Sequence, residues 1–222
     1  MSNYTKPYTA QDSALALIDF QPQMTFGVAN IDRATLMNNV TLLAKVAREF
    51  KVPTVLTSVE TESFSGYFWP QLLDVFPGQE VIDRTSMNSW DSLSFRKAIE
   101  ATGRKNILMC GLWTEVCVTW PAIEMLGAGY NIYVVEDCCG ATSTAAHEAA
   151  LSRMVQAGAT RLTTIGGLLE WQRDWKNKEH YNNLMGLLKQ QAGAYGVGVE
   201  YAYTMVHHAP QSAQKPQIVP KQ

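Results

Sequence analysis

The 222-residue sequence has no apolar run of bilayer length, no C-x-x-C pair and few charges, with Asp, Glu, Lys and Arg together making up 17%. The first absence excludes a membrane-spanning helix. The second removes the spacing of a zinc ribbon or a dithiol redox motif. Eighteen Lys and Arg face twenty Asp and Glu, a formal net charge of -2, so no broad cationic surface is available to nucleic acid or anionic lipid. The first twenty residues, MSNYTKPYTAQDSALALIDF, lack the basic and apolar regions of a secretory signal, and a cytoplasmic protein is expected. There its four cysteines, Cys110, Cys117, Cys138 and Cys139, should be free thiols. They show no metal-ligand spacing with the four histidines, and the chain has no internal repeat.

What is present is 46% hydrophobic residues, enough for one substantial core. Residues 14–19 (ALALID) are an apolar run closed by an acid, which suits a strand covered on both faces and ending at Asp19. Residues 32–50 carry Leu36, Val40, Leu43, Ala44 and Ala47 at helical spacing. A second strand is expected over 52–57, an extended piece over 81–84 delivering Arg84, and a helix over 92–102. Strands over 106–110, 131–136 and 161–165 follow, with helices from Thr114, over 143–157, from Leu168 and over 178–191. Gly158 is a plausible helix stop. Between them, residues 60–78 are irregular and aromatic, and should pack against the domain or a neighbouring subunit, or cover a site.

Strands alternating with helices predict an α/β three-layer sandwich with a mainly parallel, doubly wound sheet. The domain is expected over 1–190, followed over 191–222 by a partly flexible arm whose Tyr195, Tyr201 and Tyr203 could meet another subunit. Active residues in such sheets gather at the carboxyl ends of strands. Asp19 and the turn from Gly111 to Cys117 both occupy such ends. Cys117 falls in the first turn of a helix, where free amides and the helix dipole favour a thiolate. Asp19 could serve it as a base.

The run GLWTEVCV resembles the G-x-x-T-[ED]-x-C-V nucleophile motif of the isochorismatase-like cysteine hydrolases, and ALALIDFQ resembles the first strand of that superfamily, which ends in its catalytic aspartate. GATSTAAHEAALSRMVQAGA is similar to the family segment in which a histidine precedes A-L-x-R-M. The similarity covers roughly residues 14–175, with spacing closest to the YcaC-type branch of small oligomeric hydrolases. It implies the isochorismatase-like hydrolase fold and a triad of Asp19, Cys117 and Arg84, the last where most of the superfamily has lysine. Arginine keeps its charge and offers a planar fork, so an electrostatic role is expected of it rather than proton transfer.

The resemblance further implies an oxyanion hole from the backbone amides of Thr114 and Cys117, with a cis peptide just before Thr114. It implies a ring-like homo-oligomer, such as an octamer, and a small-molecule substrate whose amide carbon–nitrogen bond is hydrolysed through a thioester. True isochorismatases lack the nucleophilic cysteine, which argues against vinyl-ether hydrolysis. Gln23 and Trp113 are the expected substrate-binding residues. No cofactor and no metal are expected, because TSVETESFSGYF has no histidine where related nicotinamidases hold metal, and Glu60 and Glu62 read as solvated loop acids. His147 is expected to pack or hydrogen-bond, and His207 and His208 to be incidental. A non-catalytic binding module and a peroxide-sensing thiol are the alternative readings. One expectation comes from the residues alone: Pro121 has no amide to offer the Cys117 carbonyl, so the helix should widen there.

Overall fold

The computed structural model describes residues 6–206. β1 (Ser13–Ile18) is buried along its whole length, as expected of a strand with helices on both sides. It leads through the short α1 (Pro22–Phe26) into α2 (Arg33–Glu49), whose start is fixed by Asp32 accepting from the Thr35 amide at 2.8 Å. β2 (Thr54–Val59), α3 (Pro70–Leu73), β3 (Val81–Arg84) and α4 (Leu93–Ala101) follow. Then come β4 (Asn106–Gly111), a π-helical turn over Thr114–Val118, α5 (Thr119–Gly127), β5 (Asn131–Val135), α6 (Thr144–Ala157) and β6 (Thr160–Leu162). Three α-helices follow, α7 (Thr164–Gln172), α8 (Tyr181–Gln191) and α9 (Gly193–Tyr201), and a π-helical turn over Ala202–Val206 closes the described chain.

All six strands are parallel, in the order β3-β2-β1-β4-β5-β6. Helices α2, α3, α7 and α8 pack together, while α4, α5 and α6 belong to the opposite layer. The strand order reverses between β1 and β4, where a doubly wound sheet opens a crevice at its carboxyl edge. Gly111 is required there. A Cβ on it would lie 2.4 Å from the Ile18 carbonyl oxygen, so only glycine lets the two strand ends close to this distance.

Several expected boundaries move. The strand expected over 161–165 stops at Leu162, because Asp137 accepts from the Thr164 amide and hydroxyl (2.7 and 2.8 Å) and starts α7 early. Residues 193–201, expected as part of an arm, are helical; beyond them Tyr203 donates to the Tyr181 hydroxyl at 3.1 Å and lies under the Lys189 ammonium. The distal part of the 191–222 segment, including His207 and His208, lies outside the described residues. In the irregular 60–78 stretch, Phe68, Trp69, Leu72 and Phe76 are buried. Trp69 packs on Phe20 with ring centroids 4.9 Å apart and donates from its indole to Thr25 Oγ1 at 2.9 Å. This segment therefore braces the loop that follows Asp19.

Candidate active site

Asp19 sits one residue past β1, completely buried, with φ at +57°. Aspartate tolerates this left-handed conformation better than most residues. Its amide donates to the Thr57 carbonyl at 2.9 Å, which anchors the bend to the end of β2.

Arg84, the last residue of β3, reaches across β2 to this carboxylate. Its two terminal nitrogens donate to the two oxygens of Asp19, Nη1 to Oδ1 at 2.6 Å and Nη2 to Oδ2 at 2.7 Å. On the way Nη1 also meets Thr57 Oγ1 at 3.1 Å and the Ser58 carbonyl at 2.8 Å, and Nη2 the Met87 carbonyl at 3.3 Å. A paired fork of this kind fixes the carboxylate in angle as well as distance.

Cys117 lies in the π-helical turn, 3% exposed. Its thiol hydrogen-bonds to the Asp19 carboxylate, and the Trp113 amide donates to its sulfur. The expected preference for a thiolate is corrected here. Burial, and then the charge of Asp19 and its hydrogen bond, push the thiol well above its ordinary range, outweighing Arg84 and the Trp113 amide. Burial also pushes the Asp19 carboxyl up, against the pull of Arg84 and Cys117.

Of the two amides expected to form an oxyanion hole, that of Thr114 is committed elsewhere. The Thr114 amide is engaged with the Gly140 carbonyl at 2.8 Å, and the Thr114 hydroxyl donates to the same oxygen at 3.0 Å. It is the Trp113 amide, one residue earlier, that faces the sulfur. The cis peptide lies between Leu112 and Trp113. The expected widening is present: the turn closes with the Thr119 amide bonding to the Thr114 carbonyl, five residues back, and the α-helix resumes only at Thr119, with Pro121 in its first turn.

Trp113 is tied to α1 by its indole, which donates to the Met24 carbonyl at 2.8 Å, and its ring covers Gly27 so closely that a Cβ there would lie 2.6 Å away. Gln23 is exposed on the same short helix. Glu60 stands at φ +47° before a turn, bonded to the Ser63 hydroxyl. Among the described residues, no group of three His, Cys, Asp or Glu is placed to hold a metal ion.

Two residues that sequence reasoning passed over help to hold the site. Gln21 is fully buried; its amide nitrogen donates to the Val59 and Gly66 carbonyls (3.0 and 2.6 Å) and its oxygen accepts from the Val59 amide at 3.0 Å. The signal was a polar side chain two residues after a strand-end acid. Gly140 is the second, and nothing in the sequence marks it as the acceptor for both Thr114 donors. His147, on α6, is placed with Nδ1 3.0 Å from Thr114 Oγ1.

A family model for the isochorismatase domain matches residues 13–165. The probable hydrolase YcaC of Escherichia coli (strain K12) is 36% identical over 177 residues, which cover 78% of this chain and 85% of that protein. Among solved structures, YcaC from Pseudomonas aeruginosa with hexane-2,5-diol and covalent acrylamide superposes with a TM-score of 0.85 at 32% identity, covering 90% of this chain and 98% of that one. The Escherichia coli YcaC gene product, described as an octameric hydrolase of unknown specificity, gives a TM-score of 0.84 at 33% identity, covering 90% and 99%.

Proposed function

The chain belongs to the isochorismatase family, and from that premise we propose that it is a cysteine-dependent hydrolase of small molecules, cleaving amide carbon–nitrogen bonds through a thioester. The observation that carries this reading is the buried contact between the Cys117 thiol and the Asp19 carboxylate, which Arg84 holds in place.

Asp19 takes the thiol proton as the sulfur attacks the substrate carbonyl carbon. Its raised proton affinity suits it to that task better than an ordinary surface carboxylate. The carbonyl oxygen becomes an oxyanion, met by the Trp113 and Cys117 amides. The tetrahedral adduct collapses by breaking the carbon–nitrogen bond, and the proton held on Asp19 leaves with the amine. Water then gives a proton to Asp19, adds to the thioester carbonyl, and releases the acid as the proton returns to sulfur. Arg84 stays charged throughout, keeping the carboxylate aimed and balancing its charge. None of these steps calls on a metal.

The described chain has no helix long and apolar enough to cross a membrane, and its four free cysteines fit a reducing cytoplasm. The exposed Phe26, Phe64 and Tyr67 offer apolar surface that further copies would cover in a homo-oligomer, an arrangement in keeping with the octameric Escherichia coli relative. A panel of small amides tests the activity: the wild type should release amine and accumulate an acyl group on Cys117, detected by mass. Equal turnover by Cys117→Ala would sink the mechanism.

A further inference from the structure

We propose that His147 is a positioning residue for the turn that carries Cys117, acting through the Thr114 hydroxyl; this rests on the reading of Cys117 as the nucleophile. Both donors of Thr114, amide and hydroxyl, go to the Gly140 carbonyl. With its one proton committed there, Thr114 Oγ1 meets His147 as an acceptor, which makes Nδ1–H the donor of the 3.0 Å bond.

The chain of contacts is rigid at both ends. His147 is 9% exposed on α6, a helix started by Ser143 accepting from the Ala146 amide and anchored by the buried Ala150, Leu151 and Met154. Gly140 donates to the Gly111 carbonyl at 3.2 Å and is packed so tightly that a Cβ on it would lie 2.6 Å from both Leu112 Cδ2 and Val28 Cγ2. Thr114 is thus clasped between α6 and the end of β4. The neighbouring residue in the chain is Trp113, whose amide is aimed at the Cys117 sulfur. Releasing the clasp frees that amide to turn away, and the thiolate loses a donor.

His147 does not act as a proton shuttle in this arrangement, since its Nδ1–H is committed to a hydroxyl that takes no part in the chemistry. Glu115, Glu136, Glu148 and Arg161 are the charged groups around it. Nδ1–H persists in both the neutral and the protonated ring, so the clasp holds through the imidazole titration.

The test uses acrylamide as the probe, with Cys117 alkylation followed by intact mass and peptide mapping at one pH. His147→Leu fills the site without the donor and should slow alkylation about fivefold, the worth of one ordinary hydrogen bond. Thr114→Val should do the same, and the double variant should be no slower than either single one. His147→Asn, whose amide nitrogen occupies the place of Nδ1, should restore the rate to within about twofold, a rescue that packing alone would not give. A wild-type rate in His147→Leu, or an equal slowing in the Asn and Leu variants, overturns the positioning role while leaving the nucleophile reading in place. Inert Cys117 in the folded wild type would overturn both. Should His147→Leu not fold, Thr114→Val breaks the same bond from the other side and carries the comparison.

Discussion

Arg84 grips both oxygens of Asp19, at 2.6 and 2.7 Å, from two strands away, with both side chains almost completely buried. A guanidinium cannot shed its charge, so removing the carboxylate alone strands a buried cation. Asp19→Ala should cost about 3–5 kcal/mol of stability in urea denaturation. The double variant Asp19→Leu, Arg84→Met should cost clearly less than the sum of its single changes. Additive losses would show that the two side chains do not act as a pair.

The contact between Gly111 and Ile18 predicts a second outcome. Gly111→Ala puts a methyl group against backbone, which has little freedom to move. The strand ends must part, carrying Asp19 away from the Cys117 turn. We expect a loss of about 3 kcal/mol in thermal or urea unfolding, in the upper range for overpacking, together with slower Cys117 alkylation. Unchanged stability would mean that the strand ends are looser than described.

The thiol environment sets a pH dependence. Burial raises Cys117, Cys110 and Cys139 above the ordinary thiol range, so the folded protein holds protons that the unfolded chain releases above about pH 8.5. Their stabilising contribution is complete below that value and declines as pH rises beyond it. The melting temperature should therefore fall between about pH 8 and 10, less steeply in Cys117→Ala. A flat profile would contradict the assignment.

Asp19→Asn separates the two roles of the carboxylate. Removing its charge and keeping Arg84 should lower the pH midpoint of Cys117 alkylation, because the charge of Asp19 is one cause of the raised value. Hydrolysis should nevertheless fall about 10²–10⁴-fold for want of the base. A midpoint that rises would refute the electrostatic account.

Pro121→Ala returns an amide to the helix four residues after Cys117. The new donor should bond the Cys117 carbonyl and convert the π-helical turn toward regular α geometry. A crystal structure of the variant checks this directly: retention of the Thr119-to-Thr114 closure would show that the widening has another cause.

Much of this protein was legible along the chain. Apolar runs, closed by Asp19 in one case and by Gly111 in the other, marked β1 and β4, because a strand covered on both faces must be apolar throughout, and alternation with helices pointed to the parallel sheet. Asp19 and Cys117 could be nominated because strand-end positions carry chemistry in such sheets, and Pro121 foretold the widened turn because a missing amide is a local fact. What the tertiary structure decided depends on where distant backbone lies. The Thr114 amide reads as a free donor until Gly140, on another loop, is placed against it. Cys117 reads as thiolate-prone from its helix position until the fold buries it and the strand order β1-β4 sets a carboxylate beside it, which together raise its proton affinity. The contacts that give Gln21, His147 and Gly140 their roles come from partners 26 to 45 residues away.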